Sequence, residues 1–406
     1  MKLPEVFRSL SNKVFAQLYF AQSVSLFGDA ITWLGLALLA FELSPSNSAE
    51  ILSIALTLRV AAFVFVAPYA GVLADRFDRK YILATTHFVR LAIVCMFPFV
   101  TEVWQLYVLM FGLNVFNAFF TPTYNATVPL VFSDEIMYGR AISLSASTYQ
   151  LLGVLGPGIA GSLAAFIGLR QIFFIDAATF FIAAIVIVAL PGPLLASPDS
   201  KSKKQSNWSD IKTGTRLLFG ETQLRFPLFM QLGASVAGAL ILVGTVGYVQ
   251  GSLHLQVAQY GWVMSALGIG ATMAAFWLGS LRHGTNLVPI IIAGATLVSL
   301  VIIPANLFTL PILMVAWFVA GAAQSLVNVS MQTLIALHIP KPIQGRVYGA
   351  HFAWSHLWWA FSYPLAGAIQ RWYPDSYFFV GGMVALVVLT LVFTLAKLSH
   401  ARLKGD

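Results

Sequence analysis

Asp29, Arg59 and Arg90 each fall inside a long apolar run, and Asp176 lies about one turn into another. An ionisable group in hydrocarbon costs at least roughly 2.5–3.5 kcal/mol on insertion scales, so it faces a partner or a water-filled cavity and marks an ion or substrate path. A carboxyl group beside a cation can serve as a proton-binding device. The cation favours its ionised form and desolvation its neutral form, so a change of surroundings loads or releases a proton. Asp29 is therefore the expected proton-coupling residue, with Arg59 or Arg90 tuning it. The same residues would also serve as a permanent structural ion pair.

Neutral polar residues repeat at helical spacing in the same kind of run. Gln22, Ser25, Asp29 and Trp33 share one face, as do Asn114, Asn117, Thr121 and Tyr124. Gln324 and Asn328 follow at one turn, and His351, Ser355 and Trp358 form a further face. Such stripes line a substrate cavity or join helices by hydrogen bonds. The stretch His351–Tyr363 is dense in Phe, Trp and Tyr, which suits planar, amphipathic or cationic molecules. No G-x-x-x-x-G-K-[ST] loop is present, so direct drive by ATP is not expected. No hydrolase constellation or His/carboxylate metal spacing stands out, and the expectation is a non-enzyme without cofactor or metal.

The elements that must position these residues follow from composition. Of 406 residues, 59% are hydrophobic and 9% charged, against roughly 25% charged in soluble domains. A water-soluble globule is excluded. The net charge of +8 is spread over short loops rather than gathered in a patch, so nucleic acid is not the expected partner. The single cysteine, Cys95, excludes an intrachain disulfide and a cysteine metal cluster. Lys2, Arg8 and Lys13 precede an apolar stretch too long for a signal peptide, which reads as a retained first helix.

At about twenty apolar residues per span, the chain divides into twelve: roughly 14–41, 50–71, 80–100, 104–131, 138–167, 171–191, 225–250, 257–280, 287–306, 310–337, 344–369 and 376–397. Asp29 then lies roughly 22 Å from one end of its helix and Arg59 roughly 14 Å in from the other side, at similar depth. Lysine and arginine gather in the N-terminal segment, every second loop and the C-terminal segment, whereas the opposite loops hold only Arg170 and Arg371. That bias places both termini in the cytoplasm. The longest polar stretch separates a six-helix bundle, 1–191, from a second, 225–406. It forms a linker, 192–224, with a hydrophilic and mobile segment at Ser197–Ser206. Gly139-Arg140 and Gly345-Arg346 recur at an offset of 206 residues, as do Gly161 and Gly367.

Between the second and third spans lies Gly71-Val-Leu-Ala-Asp-Arg-Phe-Asp-Arg-Lys80. It resembles the cytoplasmic motif G-x-L-a-D-r-x-G-r-k of major facilitator superfamily transporters. Gly71, Leu73, Ala74, Asp75, Arg76, Arg79 and Lys80 match, and Asp78 replaces the second glycine. Gly71 is expected to permit the chain reversal, and the resemblance assigns Gly71, Asp75, Arg76 and Arg79 to control of the inner gate. In the fifth span, Gly153–Gly161 resembles the G-P-x-x-G-G motif of exporting branches. Gly156, Pro157 and Gly161 match, and Ala160 departs; these residues are expected to support gating through close helix approach. Gly28-Asp29, Phe119–Pro129 and Phe173–Phe180 are similar to the branch of enterobactin exporters and macrolide efflux proteins. The arginine usual in the fourth span of many drug antiporters is absent, and Asn114 and Asn117 occupy that region.

The resemblance implies an all-α integral membrane protein of the bacterial inner membrane, a monomer of two pseudo-symmetric six-helix bundles. The implied activity is export of a small amphipathic molecule, a siderophore or a macrolide-like drug, by alternating access in exchange for protons. Uptake by symport and lipid flipping on the same fold are the alternatives. Lipid is the surrounding partner.

Overall fold

A backbone in hydrocarbon must satisfy its own N–H and C=O groups, and a single chain this apolar does so by forming helices. The computed structural model describes residues 5–132, 134–192, 194, 207–281 and 284–402, and the predicted hydrophilic segment 197–206 lies outside them. Thirteen α-helices occur among the described residues. They are α1 (Lys13–Leu43), α2 (Ser48–Arg76), α3 (Arg79–Val94), α4 (Val103–Val131), α5 (Glu135–Ile167), α6 (Ile172–Val188) and α7 (Asn207–Gly220). There follow α8 (Thr222–Val246), α9 (Val257–Gly279), α10 (Val288–Ile302), α11 (Leu310–His338), α12 (Lys341–Trp372) and α13 (Tyr377–Arg402).

Ten of the described helices, some with an adjoining turn, are long and apolar enough to cross a membrane. The other two of the expected twelve spans are α6, apolar but 17 residues long, and α12, 32 residues long and richer in polar groups. The thirteenth helix, α7, has 14 residues and lies within the stretch expected to be linker.

Local chemistry sets the ends. Pro289, Pro311 and Pro342 stand in the first turns of α10, α11 and α12, where a missing N–H costs nothing. Gln105 closes the start of α4 by accepting hydrogen bonds from the backbone N–H of Thr101 and Glu102, at 2.8 and 3.1 Å. The expected reversal at Gly71 is displaced. Val72 to Arg76 contains no helix breaker, so α2 continues through it and the chain turns at Phe77-Asp78. The Asp78 carboxylate caps α3, accepting from the Lys80 N–H at 2.9 Å.

Two compact units result. The first comprises Met1–Leu39 and Ala61–Lys204. In it α3 packs against α4 and α6, and the N-terminal turn Glu5–Ser11 against α5. Its core includes Phe15, Leu18, Leu83, Phe120, Val128 and Ile187. The second comprises Ala40–Val60 and Gln205–Asp406, so α2 is divided between the units. In the second unit α8 packs against α10, α12 and α13, and α11 against α9 and α10. Helices α9 and α11 meet backbone to backbone. A Cβ at Gly270 would overlap the Phe318 carbonyl, and one at Gly321 would overlap the Leu267 carbonyl. Trp317 is fully buried, with its indole N–H donating to Thr245 Oγ1 at 2.9 Å.

Candidate functional site

The first unit carries an ionic cluster whose centre is Arg90 of α3. The side chain is 1% exposed, so its charge must be met inside the protein. Asp29 of α1 supplies the counter-charge, its Oδ2 lying 3.7 Å from Arg90 Nη1, and keeps 19% of its side chain exposed. Arg90 Nη1 also donates to Asn117 Oδ1 of α4 at 2.5 Å. Arg90 Nη2 lies 2.8 Å from His87 Nδ1 and 3.5 Å from Ser25 Oγ. A guanidinium can only donate, so His87 Nδ1 accepts and the ring hydrogen sits on Nε2. Phe120 and Phe180 flank the guanidinium, their centroids 4.7 and 4.3 Å from it, where an aromatic face attracts a cation.

Asp176 of α6 belongs to the same cluster, although its sequence position is nearer the start of its helix. It is fully buried. Its Oδ2 accepts from the Thr32 hydroxyl at 2.5 Å and its Oδ1 from the Thr179 hydroxyl at 3.0 Å. Gly28 explains how α1 comes so near: a Cβ there would overlap Asp176 Oδ1 and Thr179 Oγ1. Thus Gly28, Asp29 and Thr32 on one helix reach Asp176 and Arg90 on two others. Arg59 is in the second unit, within electrostatic reach of His356 and Tyr363.

The second unit holds a neutral polar network that the sequence pattern missed. Gln231 of α8 is 3% exposed. Its Nε2 donates to Asn328 Oδ1 of α11 at 3.2 Å, and its Oε1 lies 2.9 Å from His351 Nε2 of α12. An amide oxygen accepts, so His351 donates through Nε2. The sequence placed Asn328 and His351 on separate stripes; Gln231 joins them. It escaped notice because the apolar run around it offers only Ser235 one turn on, too short a pattern to read as a polar stripe.

Other predicted residues take varied places. Asn114 is fully buried and its amide donates to the Met110 carbonyl, whereas Thr121 is exposed and bonds to the Asn117 carbonyl. Tyr124 joins the apolar core of the first unit and stacks near Phe120. Gln22, Trp33 and Gln324 are half-buried. Ser355 turns back to the Phe352 carbonyl, and the Trp358 indole donates to the Leu228 carbonyl at 3.1 Å.

In the loop motif, the backbones of Gly71, Asp75 and Arg76 end α2, while their side chains lie outside the described set. Arg79 is buried and donates to the Ala126 carbonyl of α4 at 2.8 Å. Lys80 Nζ donates to the Leu190 carbonyl, just after α6, at 2.6 Å. Asp78 Oδ1 also accepts from the Leu194 N–H at 2.9 Å. The motif thus ties the α2–α3 turn to the ends of α4 and α6. In α5, a Cβ at Gly156 would meet Ala30 of α1; Pro157 lies within the helix and Gly161 is buried.

Ten described helices long and apolar enough to cross a membrane, with ionisable and polar groups gathered among them, are the features of a polytopic membrane protein. The chain belongs to the Major Facilitator Superfamily, whose family model matches residues 18–246 and 228–406. It is similar to the uncharacterized MFS-type transporter YfiS of Bacillus subtilis (strain 168), at 27% identity over 95% of this chain and 94% of that protein. Macrolide efflux protein A of Streptococcus pyogenes is 29% identical over 45% of each chain. The crystal structure of the nucleoside transporter NupG shares the fold, with a TM-score of 0.73 at 15% identity, covering 94% of this chain and 98% of that one.

Proposed function

We propose that this chain exports a small amphipathic molecule, drug-like or siderophore-like, by alternating access in exchange for protons. The observation that carries this reading is the Asp29–Arg90 pair, buried at one partner and partly exposed at the other. A carboxylate in that position gains a proton when the cation moves away and loses it when the cation returns. Similarity to a macrolide efflux protein supports export over uptake.

The substrate-facing groups are proposed as the Asn117–Thr121 face, Gln231 with Asn328 and His351, and the aromatic stretch of α12 around Trp358; Asn114, fully buried, is left out of that face. The network round Gln231 supplies directional hydrogen bonds, and the neighbouring rings supply apolar contact area. Alternating access would come from rocking of the two halves, 1–191 and 225–406, with the Arg79 loop and the Gly156–Pro157–Gly161 stretch holding and releasing the closed state. The proposed setting is a monomer in a bacterial inner membrane, both termini cytoplasmic.

Inside-out vesicles with an imposed pH gradient test this directly. Gradient-dependent accumulation of macrolides, cationic dyes or metallophores is expected, together with its loss in Asp29→Asn. Full proton-coupled transport by that variant would remove Asp29 from the mechanism. Accumulation of none of the compounds would count against proton-linked export.

A further inference from the structure

We propose that Asp176 is a second proton-binding carboxyl group and is neutral in the conformation described. The argument is a charge count in a sealed space. Arg90 is the cation of the cluster and Asp29 its ion-pair partner at 3.7 Å. His87 accepts from Arg90 through Nδ1, which leaves the ring neutral. Among the interactions described, these are the charged and titratable groups around Asp176 from α1 and α3; α4 adds the neutral Asn117, and Thr179 comes from α6 itself. An ionised Asp176 would add a second negative charge against one cation, on a side chain that is fully buried.

Hydrogen bonding gives the same result. A buried carboxylate is normally stabilised by several strong donors or an adjacent cation. Among the described residues Asp176 forms no ion pair, and its carboxyl oxygens have two hydroxyl partners, Thr32 and Thr179. The single Thr179 hydroxyl hydrogen is also shared with the Asp176 main-chain carbonyl at 2.7 Å. A carboxylic acid fits this pocket without a further donor, because its own O–H can donate to Thr32 once that hydroxyl turns away. The Gly28 backbone closes the space beside it. Asp29 and Asp176 thus form a pair holding one proton: the partly exposed member is ionised against Arg90 and the sealed member carries the hydrogen. Any part in transport rests on the proton exchange proposed above; the protonation itself does not.

Infrared difference spectroscopy on the full-length protein in lipid nanodiscs, with aspartate carboxyl groups carbon-13 labelled, reads this without a substrate. At neutral pH the wild type should show the C=O stretch of a protonated aspartic acid. Asp176→Asn should abolish that band at every pH, whereas Asp29→Asn, which leaves Arg90 to be met by Asp176, should weaken the band at neutral pH and restore it on acidification. Thr32→Val, which alters only the hydrogen bond to the carboxyl group, should move its frequency. Asn copies a neutral acid, so Asp176→Asn should unfold within a few degrees of the wild type, whereas Asp29→Asn, in which an ionised and buried Asp176 must take over as counter-charge to Arg90, should unfold earlier. Absence of the wild-type band, its persistence in Asp176→Asn, an undiminished band at neutral pH in Asp29→Asn or an unmoved band in Thr32→Val would overturn the proposal. A band that behaves as stated in a protein showing no proton-driven export would leave this proposal standing and remove the transport reading.

Discussion

Replacing Arg90 with methionine removes the cation of the first unit while keeping an unbranched side chain of similar length. Removing one partner of a buried ion pair costs about 3–5 kcal/mol, because the other charge is left uncompensated. Here the remaining partner, Asp29, is 19% exposed and can take up a proton, which places the cost near the lower bound. Loss of the cation–π contacts with Phe120 and Phe180 adds about 1 kcal/mol, and burial of the methionine between the same rings returns a similar amount. The net expectation is a loss of about 3 kcal/mol. Asp29→Asn removes the ion-pair partner of Arg90, which is 1% exposed; ionisation of Asp176 meets part of that charge, so the cost should lie near the lower bound, about 3 kcal/mol. In the double variant neither charge is left, so its cost should fall short of the summed single costs by about 2–3 kcal/mol. Equilibrium unfolding of the four proteins in mixed micelles, followed by tryptophan fluorescence, measures this cycle. Costs that simply add, within about 0.5 kcal/mol, would refute the view that Asp29 and Arg90 compensate one another.

Three further outcomes are expected. Gly321→Val drives two methyl groups towards the Leu267 carbonyl of α9, and because backbone cannot yield as a side chain can, folded yield in detergent should drop severely; Gly279→Val, where a Cβ meets open space, should leave yield near wild type. Gln231→Leu leaves His351 Nε2 and Asn328 Oδ1 without their partner, which should cost about 1–3 kcal/mol for each group left buried and unsatisfied; a thermal unfolding midpoint unchanged from wild type would contradict the network. Asp78→Ala removes the cap of α3 and the tether to Leu194, with an expected cost of about 1 kcal/mol, and limited proteolysis should show faster cleavage near the α2–α3 turn.

The sequence made the helical spans legible because hydrocarbon burial depends on composition along the chain, one segment at a time. The same reasoning found Asp29, Arg90, Asn328 and His351 as polar groups out of place. It misjudged the reversal at Gly71, since a glycine permits a turn without requiring one, and the cap at Asp78 decided where α3 begins. It also gave no hint that part of the linker forms α7 against α12, because a 14-residue helix of mixed polarity draws its stability from what it packs on.

What the sequence alone determined is therefore an inventory: an all-helical membrane chain, its spans, its family motifs and the positions of its charges along each helix. Tertiary structure decided the partners. It set Arg90 against Asp29, brought Asp176 to the same cluster through Gly28, and placed Gln231 between Asn328 and His351. Depth along a helix can be counted from residue number. Which side chain a buried group meets depends on the rotation and spacing of neighbouring helices, fixed only when glycines and bulky residues on different segments pack together.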